Sequence, residues 1–174
     1  MGLRITGGEL GGRIIKSAPT LRPAMEKVRK AVFDILGESI IKANFLDLYA
    51  GSGAFGIEAL SRGASRAVFI DKDRTHYNLI KKNVNLLGVA DNAAVRMMMV
   101  EDFMEANKYP YDIIFAAPWY RDTIDIKGWE KLLADKGIII IEHRSDTIPP
   151  VNEHLRLINQ KKYGDTHLAF YTHA

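Results

Sequence analysis

Residues 45–63 read F-L-D-L-Y-A-G-S-G-A-F-G-I-E-A-L-S-R-G, and this stretch decides the fold. A short apolar run comes first, a glycine-rich stretch follows, and a largely apolar run then ends at Gly63. That order is typical of a buried strand, a tight turn and a helix that glycine closes. Glycines at 51, 53 and 56 form G-x-G-x-x-G, which lets a ligand approach the backbone N–H groups at a helix N-terminus. The stretch therefore predicts a strand–loop–helix unit with a ligand site at the loop.

Strand-like and helix-like segments continue to alternate after this unit. Further strands are predicted at residues 67–70, 95–100, 113–115, 138–141, 155–161 and 167–171. A helix capped by Thr75 and closed by Gly88 precedes the third strand, and a helix with Ile126, Trp129 and Leu133 precedes the fifth. The last two strands are joined by a Gly-Asp turn with no helix between them. We therefore predict an α/β, Rossmann-like, doubly wound sheet of seven mostly parallel strands with an antiparallel C-terminal hairpin.

The N-terminal segment has a different pattern. Short β-prone runs surround two Gly-Gly pairs over residues 4–16, which favours a hairpin. Pro23 fits the first turn of a helix that ends at Gly37 and whose apolar stripe contains Met25, Val28, Val32 and Ile35. Arg29 and Lys30 lie off that stripe, so both are expected to face solvent or a ligand. The chain is interpreted as one domain over 1–174, with a basic hairpin and helix over 1–37 and a Rossmann-like core over 45–174.

Composition narrows the class of protein. The chain has 174 residues, 47% hydrophobic and 26% charged, as in an ordinary globular protein. The absence of cysteine excludes disulfides, iron–sulfur clusters and cysteine-ligated zinc, and the five histidines show no metal-ligand spacing, so no metal is expected. No apolar run reaches membrane-spanning length and no signal peptide is recognisable, which predicts a cytoplasmic protein that does not bind membranes.

Charge is concentrated at the N-terminus. Residues 1–36 carry seven Lys and Arg against three Asp and Glu, a net charge of +4, whereas the whole chain has +3. A basic arm on a near-neutral body is typical of a surface that binds a polyanion. A solvated helix face explains the same charges equally well, and the pattern alone leaves both interpretations open.

Two carboxylates near the glycine loop indicate the ligand. Asp71 closes the second strand, where a carboxylate can hold both hydroxyls of a ribose. Asp47 lies inside the first strand, four residues before Gly51, and a second anion there is unfavourable beside the pyrophosphate of NAD. It suits S-adenosylmethionine, which carries a sulfonium and an ammonium, although a buried acid satisfied by loop N–H groups is a compatible interpretation. Glu101 and Asp102 are expected at the end of the third strand, within reach of an adenine amino group or as a helix cap.

The predicted fourth strand ends in A-A-P-W-Y, residues 116–120. A Pro-x-aromatic turn at this position makes a rigid loop whose carbonyl groups point towards the ligand edge of the sheet. Tyr120 could stack on a flat substrate there, whereas ordinary packing accounts equally well for Trp119 and Tyr120.

Three longer segments carry a resemblance to a known family. They are R-I-T-G-G-E-L-G-G-R from residue 4, L-R-P-A-M-E-K-V-R-K-A-V-F-D-I-L from residue 21 and D-L-Y-A-G-S-G-A-F-G-I-E-A-L-S-R-G-A from residue 47. Together they resemble the RsmD-like 16S rRNA guanine-N2 methyltransferases of the class I S-adenosylmethionine-dependent fold. The resemblance implies methylation of a guanine N2 amine in 16S rRNA or the small ribosomal subunit, with S-adenosylmethionine as cofactor, by a protein expected to be a monomer.

The same resemblance assigns roles to particular residues. Asp47, Gly51, Gly53 and Gly56 would line the methionine end of the cofactor, Asp71 its ribose and Asp102 its adenine. The RNA-facing arm would include Arg4, Arg13, Arg22 and Arg29. The catalytic positions correspond to Ala117, Pro118 and Tyr120.

One of these positions departs from the family. Where the family has Asp/Asn-Pro-Pro-Tyr, this chain has Ala117-Pro118-Trp119-Tyr120, and alanine offers no acceptor for the target amine. A catalytically weak or silent S-adenosylmethionine-dependent RNA binder therefore remains an alternative. An NAD-dependent oxidoreductase is disfavoured by Asp47 and by the lack of a separate substrate domain. An adenine-N6 DNA methyltransferase would need a target-recognition region for which 174 residues leave little room.

Overall fold

The N-terminal hairpin and helix form as predicted. The structure is a computed structural model that describes residues 2–18, 25–118 and 124–174. Strands β1 (Gly2–Arg4) and β2 (Ile14–Lys16) pair in antiparallel fashion, and α1 (Met25–Leu36) ends immediately before Gly37. Pro23, predicted in the first turn of this helix, lies outside the described residues.

The seven remaining strands form one sheet. They are β3 (Asn44–Leu48), β4 (Arg66–Asp71), β5 (Ala93–Met97), β6 (Tyr111–Ala116), β7 (Leu133–Arg144), β8 (Leu155–Tyr163) and β9 (Thr166–His173). Their order across the sheet is β5-β4-β3-β6-β7-β9-β8. The first five are parallel, and β9 runs antiparallel between β7 and β8. The predicted fold class, with its C-terminal hairpin at one edge, is confirmed.

Apolar layers cover both faces of this sheet. Three further helices, α2 (Ala54–Ser61), α3 (Arg74–Leu86) and α4 (Val100–Ala106), connect the parallel strands. Alternate strand residues point to opposite faces. One face packs on α1, α2 and α3 through Phe45, Phe69, Phe115, Val32, Ile57 and Ile80. The other packs on α4 and a short 3-10 turn through Leu46, Ile114, Ile139, Phe103 and Trp129.

Three local predictions were wrong. Among residues 124–133 there is a 3-10 turn, Trp129–Leu132, rather than an α-helix, because Leu133 already pairs with Tyr111 as the first residue of β7. The third strand ends at Met97, and Val100 begins α4. The cap of α3 is Asp73 instead of Thr75, since its carboxylate accepts hydrogen bonds from the backbone N–H groups of residues 75 and 76 at 2.7 and 3.0 Å.

The exposure of side chains on α1 differs from the prediction. Arg29 is completely buried, with Nε 3.2 Å from Oε2 of Glu58, and it also donates a hydrogen bond to the carbonyl oxygen of Arg4. Lys30 is exposed as expected, whereas Ile35, expected on the apolar stripe, is 40% exposed. The expectation that Arg29 faces solvent or a ligand is wrong because its partner Glu58, 29 residues away in the chain, is brought beneath α1 by the fold.

The buried carboxylate of Glu58 connects three elements. It accepts hydrogen bonds from the backbone N–H and the hydroxyl of Thr6, at 2.8 and 2.6 Å, just beyond β1. It also accepts from Nε of Arg29 on α1 and, at 2.9 Å, from Nε of Arg62 at the end of α2. A buried carboxylate is tolerated when cations and donors surround it in this way. The N-terminal hairpin and α1 are therefore fastened to the helix that follows the glycine loop.

We expect Arg29→Ala to lower the stability of the fold substantially. The change removes one of the two arginines that pair with the buried Glu58 carboxylate, leaving Arg62 as its cationic partner, and it empties the space that the buried Arg29 side chain fills. We expect a cost of about 3 kcal/mol and a Tm lower by roughly 6–12 °C in a chain of this size. Lys30→Ala is the matched control, because it removes the same charge from the next position of the same helix. Its side chain is exposed and bonded to Asp34, so a shift of at most about 0.5 kcal/mol is expected. Equal Tm shifts for the two variants would contradict the assignment.

Candidate functional site

The glycine loop follows β3 and depends on left-handed backbone conformations. Tyr49, Gly51 and Gly53 have φ values of 58°, 58° and 77°, a region that glycine adopts without steric cost. Gly53 is the N-cap of α2. A side chain at Gly56 would place Cβ 2.2 Å from a ring carbon of Phe69 on β4, so only glycine lets α2 lie this close to the sheet. The G-x-G-x-x-G motif thus forms the tight turn that the sequence predicts, and Gly56 also allows close packing of α2 on the sheet.

Asp47 reaches this loop from inside β3. Its side chain is buried and its Oδ2 accepts a hydrogen bond of 2.9 Å from the backbone N–H of Gly56. Burial raises the pKa of the Asp47 carboxyl well above 3.8, the hydrogen bond from Gly56 opposes that rise, and the charge of Asp71 adds to it. Asp47 is therefore a buried acid whose carboxylate is hydrogen-bonded to the loop, which is one of the two interpretations that the sequence allows. A cation bound nearby would stabilise the charged form of Asp47.

Asp71 holds the other end of the loop from β4. Its Oδ2 accepts from the backbone N–H of Gly51 at 2.8 Å, and its Oδ1 accepts from the N–H of Asp73 at 2.9 Å. Nδ1 of His76 lies 3.2 Å from the same Oδ2. A carboxylate offers about four lone-pair positions, so this arrangement leaves about one for a ligand hydroxyl. The sequence predicted that this carboxylate binds both ribose hydroxyls, which would need one more acceptor position than these contacts leave free.

His76 was missed by the sequence analysis. It lies in the first turn of α3, and its ring and the carboxylate of Asp71 are each only 10% exposed. The hydrogen bond to Asp71 raises the pKa of the imidazole above 6.5, burial opposes that rise, and the charges of Asp71 and Asp73 add to it. The spacing from Asp71 to His76 is visible in the sequence, but nothing in it indicates that the ring turns back towards the carboxylate.

The remaining predicted cofactor and catalytic positions differ in exposure. Asp102 lies in the exposed first turn of α4 rather than at a strand end. Ala117 follows β6, and its backbone N–H is 3.4 Å from the carbonyl oxygen of Leu48 on β3. Pro118 is buried. The predicted stacking residue Tyr120 and its neighbour Trp119 lie outside the described residues. The carboxyl ends of β3, β4 and β6 therefore bring Asp47, Asp71 and Ala117 to one edge of the sheet.

Two of the four arginines predicted to contact RNA are exposed among the described residues. Arg4 and Arg13 are exposed on the N-terminal hairpin, whereas Arg22 lies outside the described residues. Arg29, predicted to face RNA, is instead buried against Glu58, and this prediction is wrong. Within residues 2–18, 25–118 and 124–174, no three acidic or histidine side chains form a group that could hold a metal ion. No helix in these ranges is long and apolar enough to cross a membrane.

The family follows from comparison with known proteins. A family model described as "Conserved hypothetical protein 95" matches residues 3–172. The chain belongs to that family. This member of the Conserved hypothetical protein 95 family is 34% identical to Ribosomal RNA small subunit methyltransferase D of Escherichia coli K12, over 97% of its own length and 89% of that protein.

Solved structures support the same relation. The structure of yhhF from Escherichia coli superposes on this family member with a TM-score of 0.89 and 34% identity, covering 99% of this chain and 98% of that one. A hypothetical protein of Thermus thermophilus gives a TM-score of 0.83 and 31% identity, with 99% of both chains covered. The similarity extends over the N-terminal hairpin and α1 as well as the sheet.

We expect Asp47→Asn to raise the stability of the ligand-free protein. An amide oxygen can still accept from Gly56, while the cost of burying a charge is removed. Because the pKa is raised on folding, the charge of Asp47 destabilises the fold increasingly as pH rises above about 3.8. At pH 7 we expect a gain of a few degrees in Tm, since about 1 kcal/mol corresponds to roughly 2–4 °C, and near pH 3 no gain.

Thermal unfolding by circular dichroism at both pH values measures this difference. Asp91→Asn is the matched control, because Asp91 is exposed in the short 3-10 helix Ala90–Asn92. If the Tm of Asp47→Asn is unchanged or lower at pH 7, the buried charge of Asp47 does not destabilise the ligand-free protein.

Proposed function

We propose that this protein is an S-adenosylmethionine-dependent methyltransferase that acts on the exocyclic N2 amine of a guanine in 16S rRNA. The observation that carries the proposal is the relation to Ribosomal RNA small subunit methyltransferase D over 97% of the chain. We further propose that residues 1–174 work as one domain and one monomer, in the cytoplasm, where ribosomal subunits are assembled.

The loop and its two carboxylates support this cofactor. The charged group of Asp47 is buried beside the loop and raised in pKa, so a cationic ligand binds there more favourably than an anionic one. S-adenosylmethionine has a sulfonium and an ammonium, whereas the pyrophosphate of NAD would place two further negative charges near Asp47 and Asp71. We assign Asp47, Gly51, Gly53 and Gly56 to the methionine end, Asp71 to the ribose and Asp102 to the adenine.

The chemistry depends mainly on alignment. When bound, S-adenosylmethionine would supply an electrophilic methyl group: the bond from the amine nitrogen to the methyl carbon would form as the carbon–sulfur bond breaks, S-adenosylhomocysteine would leave, and the amine would lose a proton to water. The contribution of the chain is to hold the two reactants in line and to keep the loop rigid while they react. Asp47 and Asp71 serve this purpose by fixing the backbone N–H groups of Gly56 and Gly51. The carbonyl of Pro118 can accept one hydrogen bond from the target amine, and Tyr120 can stack on the base.

Ala117 limits this mechanism. A guanine amine is a poor nucleophile because its lone pair is delocalised into the ring, and an acceptor that orients it helps the reaction. The family carries Asp or Asn at this position, but the methyl group of Ala117 instead packs against the apolar cluster on the α1–α3 face. By analogy with removing one oxyanion-hole donor, we expect activity on the order of 100- to 1,000-fold below that of an enzyme with the acceptor.

The RNA would meet the protein through its basic arm. The proposed contacts are Arg4, Arg13 and Arg22, whereas Arg29 is buried and cannot reach a phosphate. Phosphate contacts by arginine are favourable and salt-dependent. The base must be single-stranded or flipped out to approach Ala117 and Pro118, because the methyl group is transferred at the buried sheet edge.

The direct test is methyl transfer to ribosomal particles that lack the modification. Purified protein is incubated with isotopically labelled S-adenosylmethionine and either 16S rRNA or small subunits, and the labelled nucleotide is located by mass mapping. Label on a guanine N2 supports the proposal. Binding of S-adenosylmethionine and RNA without transfer would instead favour the silent RNA binder, and tighter binding of NAD would favour the oxidoreductase.

We expect Ala117→Asp to increase methyl transfer at least tenfold, because the new carboxylate would restore part of the roughly 100- to 1,000-fold effect of the missing acceptor. Ala117→Asn should behave similarly, because an amide oxygen also accepts a hydrogen bond. Ala117→Leu is the control of similar size without an acceptor, and it should stay at or below the parent rate. S-adenosylmethionine affinity should change by no more than a few-fold in all three.

Thermal unfolding of each Ala117 variant accompanies the rate measurement, because a carboxylate facing the apolar cluster could lower stability. The Asn and Leu variants separate the acceptor from the charge and from the added volume. A folded Ala117→Asp protein that binds cofactor and RNA but is as slow as the parent would show that residue 117 does not act on the amine.

A further inference from the structure

The carboxylate of Asp71 is held by three donors of different kinds. The N–H groups of Gly51 and Asp73 belong to the backbone of the glycine loop and of the turn after β4, so they are fixed by the fold. The third donor is the imidazole of His76, 3.2 Å away on α3. It is the one side chain among the described residues that is hydrogen-bonded to this carboxylate, and the one of the three donors that can change its charge.

We propose that His76 positions the Asp71 carboxylate for the cofactor ribose and that its protonation weakens binding of the cationic cofactor. The inference rests on the proposed function, since it assigns a further residue to the same cofactor site. His76 acts through Asp71 and is a positioning residue.

The geometry allows the hydrogen bond in both protonation states. With Nδ1 facing Asp71, a neutral ring donates Nδ1–H to the carboxylate and exchanges its second proton at Nε2. The neutral ring therefore orients Asp71 and leaves its full negative charge available to a ribose hydroxyl. A protonated ring adds a positive charge at the same distance, which offsets the charge of Asp71 and repels a sulfonium in a largely buried site. Cofactor affinity should consequently fall as pH is lowered.

The surrounding charges favour the protonated form of the ring. Asp71 on β4 and Asp73 at the N-cap of α3 both act on the imidazole, and together they raise its pKa above 6.5 despite burial. Asp47 on β3 adds a further negative charge that interacts with Asp71. Asp73 also fixes the start of α3 by accepting from the backbone N–H of His76, at 3.0 Å, so the ring is held close to the carboxylate.

The experiment compares wild-type protein with two variants by calorimetric titration of S-adenosylmethionine at pH 6 and pH 8. His76→Asn keeps an N–H donor at about the position of Nδ1 but cannot titrate, whereas His76→Leu removes the donor. From pH 8 to pH 6 the wild type should lose about three- to tenfold more affinity than His76→Asn. At pH 8 His76→Asn should remain within about threefold of the wild type, and His76→Leu should bind several-fold more weakly.

S-adenosylhomocysteine is the matched ligand, because it lacks the methyl group and the sulfonium charge. The extra loss of affinity in the wild type should be smaller for this ligand. Comparing proteins at the same pH also removes the effect of the ligand's own amino group. Circular dichroism confirms that each variant is folded.

A second measurement needs only the wild-type protein. Because linkage is reciprocal, a cofactor that binds the neutral ring better must lower the pKa of His76 when it binds. Proton NMR of the His76 ring, followed against pH with and without saturating S-adenosylmethionine, should show this decrease. An unchanged or raised pKa would overturn the inference even if the variants fail to fold.

The remaining outcomes distinguish the two proposals. Parallel pH profiles for wild type and His76→Asn would overturn the role of His76 and leave the proposed function intact. Tighter binding by His76→Leu would also overturn it, because the ring would then compete with the ribose for Asp71. No binding of S-adenosylmethionine by the wild type at either pH would overturn the proposed function and this inference together.

Discussion

The close contact between α2 and β4 is the constraint on which the rest of the site depends. Gly56 has no side chain, so the helix lies against the ring of Phe69 at a distance that a Cβ atom would not allow. The first turn of the helix therefore lies beside the end of β3, where Asp47 accepts from Gly56, and the loop before it meets Asp71 from β4. Two neighbouring strands each hold one end of the loop, which fixes its N–H groups before any ligand arrives.

This arrangement places two carboxylates close together in a largely buried region. The pKa of Asp47 is raised by burial and by the charge of Asp71, so the charged form of the pair is unfavourable until a cation is present. Part of that charge is offset by His76, whose own pKa is raised by the same contact. The two carboxylates therefore lower the stability of the ligand-free protein, while the same negative charges favour binding of a cationic ligand. Such a trade-off is common at functional sites.

Helix α2 also connects the loop to the N-terminal segment. Two residues beyond Gly56, Glu58 receives hydrogen bonds from Thr6, Arg29 and Arg62, so the hairpin and α1 rest on the same helix that presents the loop. The basic N-terminal segment, which we propose binds RNA, is thereby fixed relative to the proposed cofactor site. The same contacts remove Arg29 from the surface, and the exposed cations Arg4 and Arg13 of the hairpin remain.

The sequence by itself determined the fold class and the position of the loop. Apolar strands separated by helix-length segments, and glycines at 51, 53 and 56, are local patterns with direct physical meaning, and the sheet confirms them. The short element at 129–132 was not predictable, since the pairing of Leu133 with Tyr111 overrides its helical spacing. Only the tertiary structure decided that Arg29 is buried and that His76 reaches Asp71. In both cases the deciding partner comes from another element, and side-chain contacts between elements are set by packing rather than by local sequence.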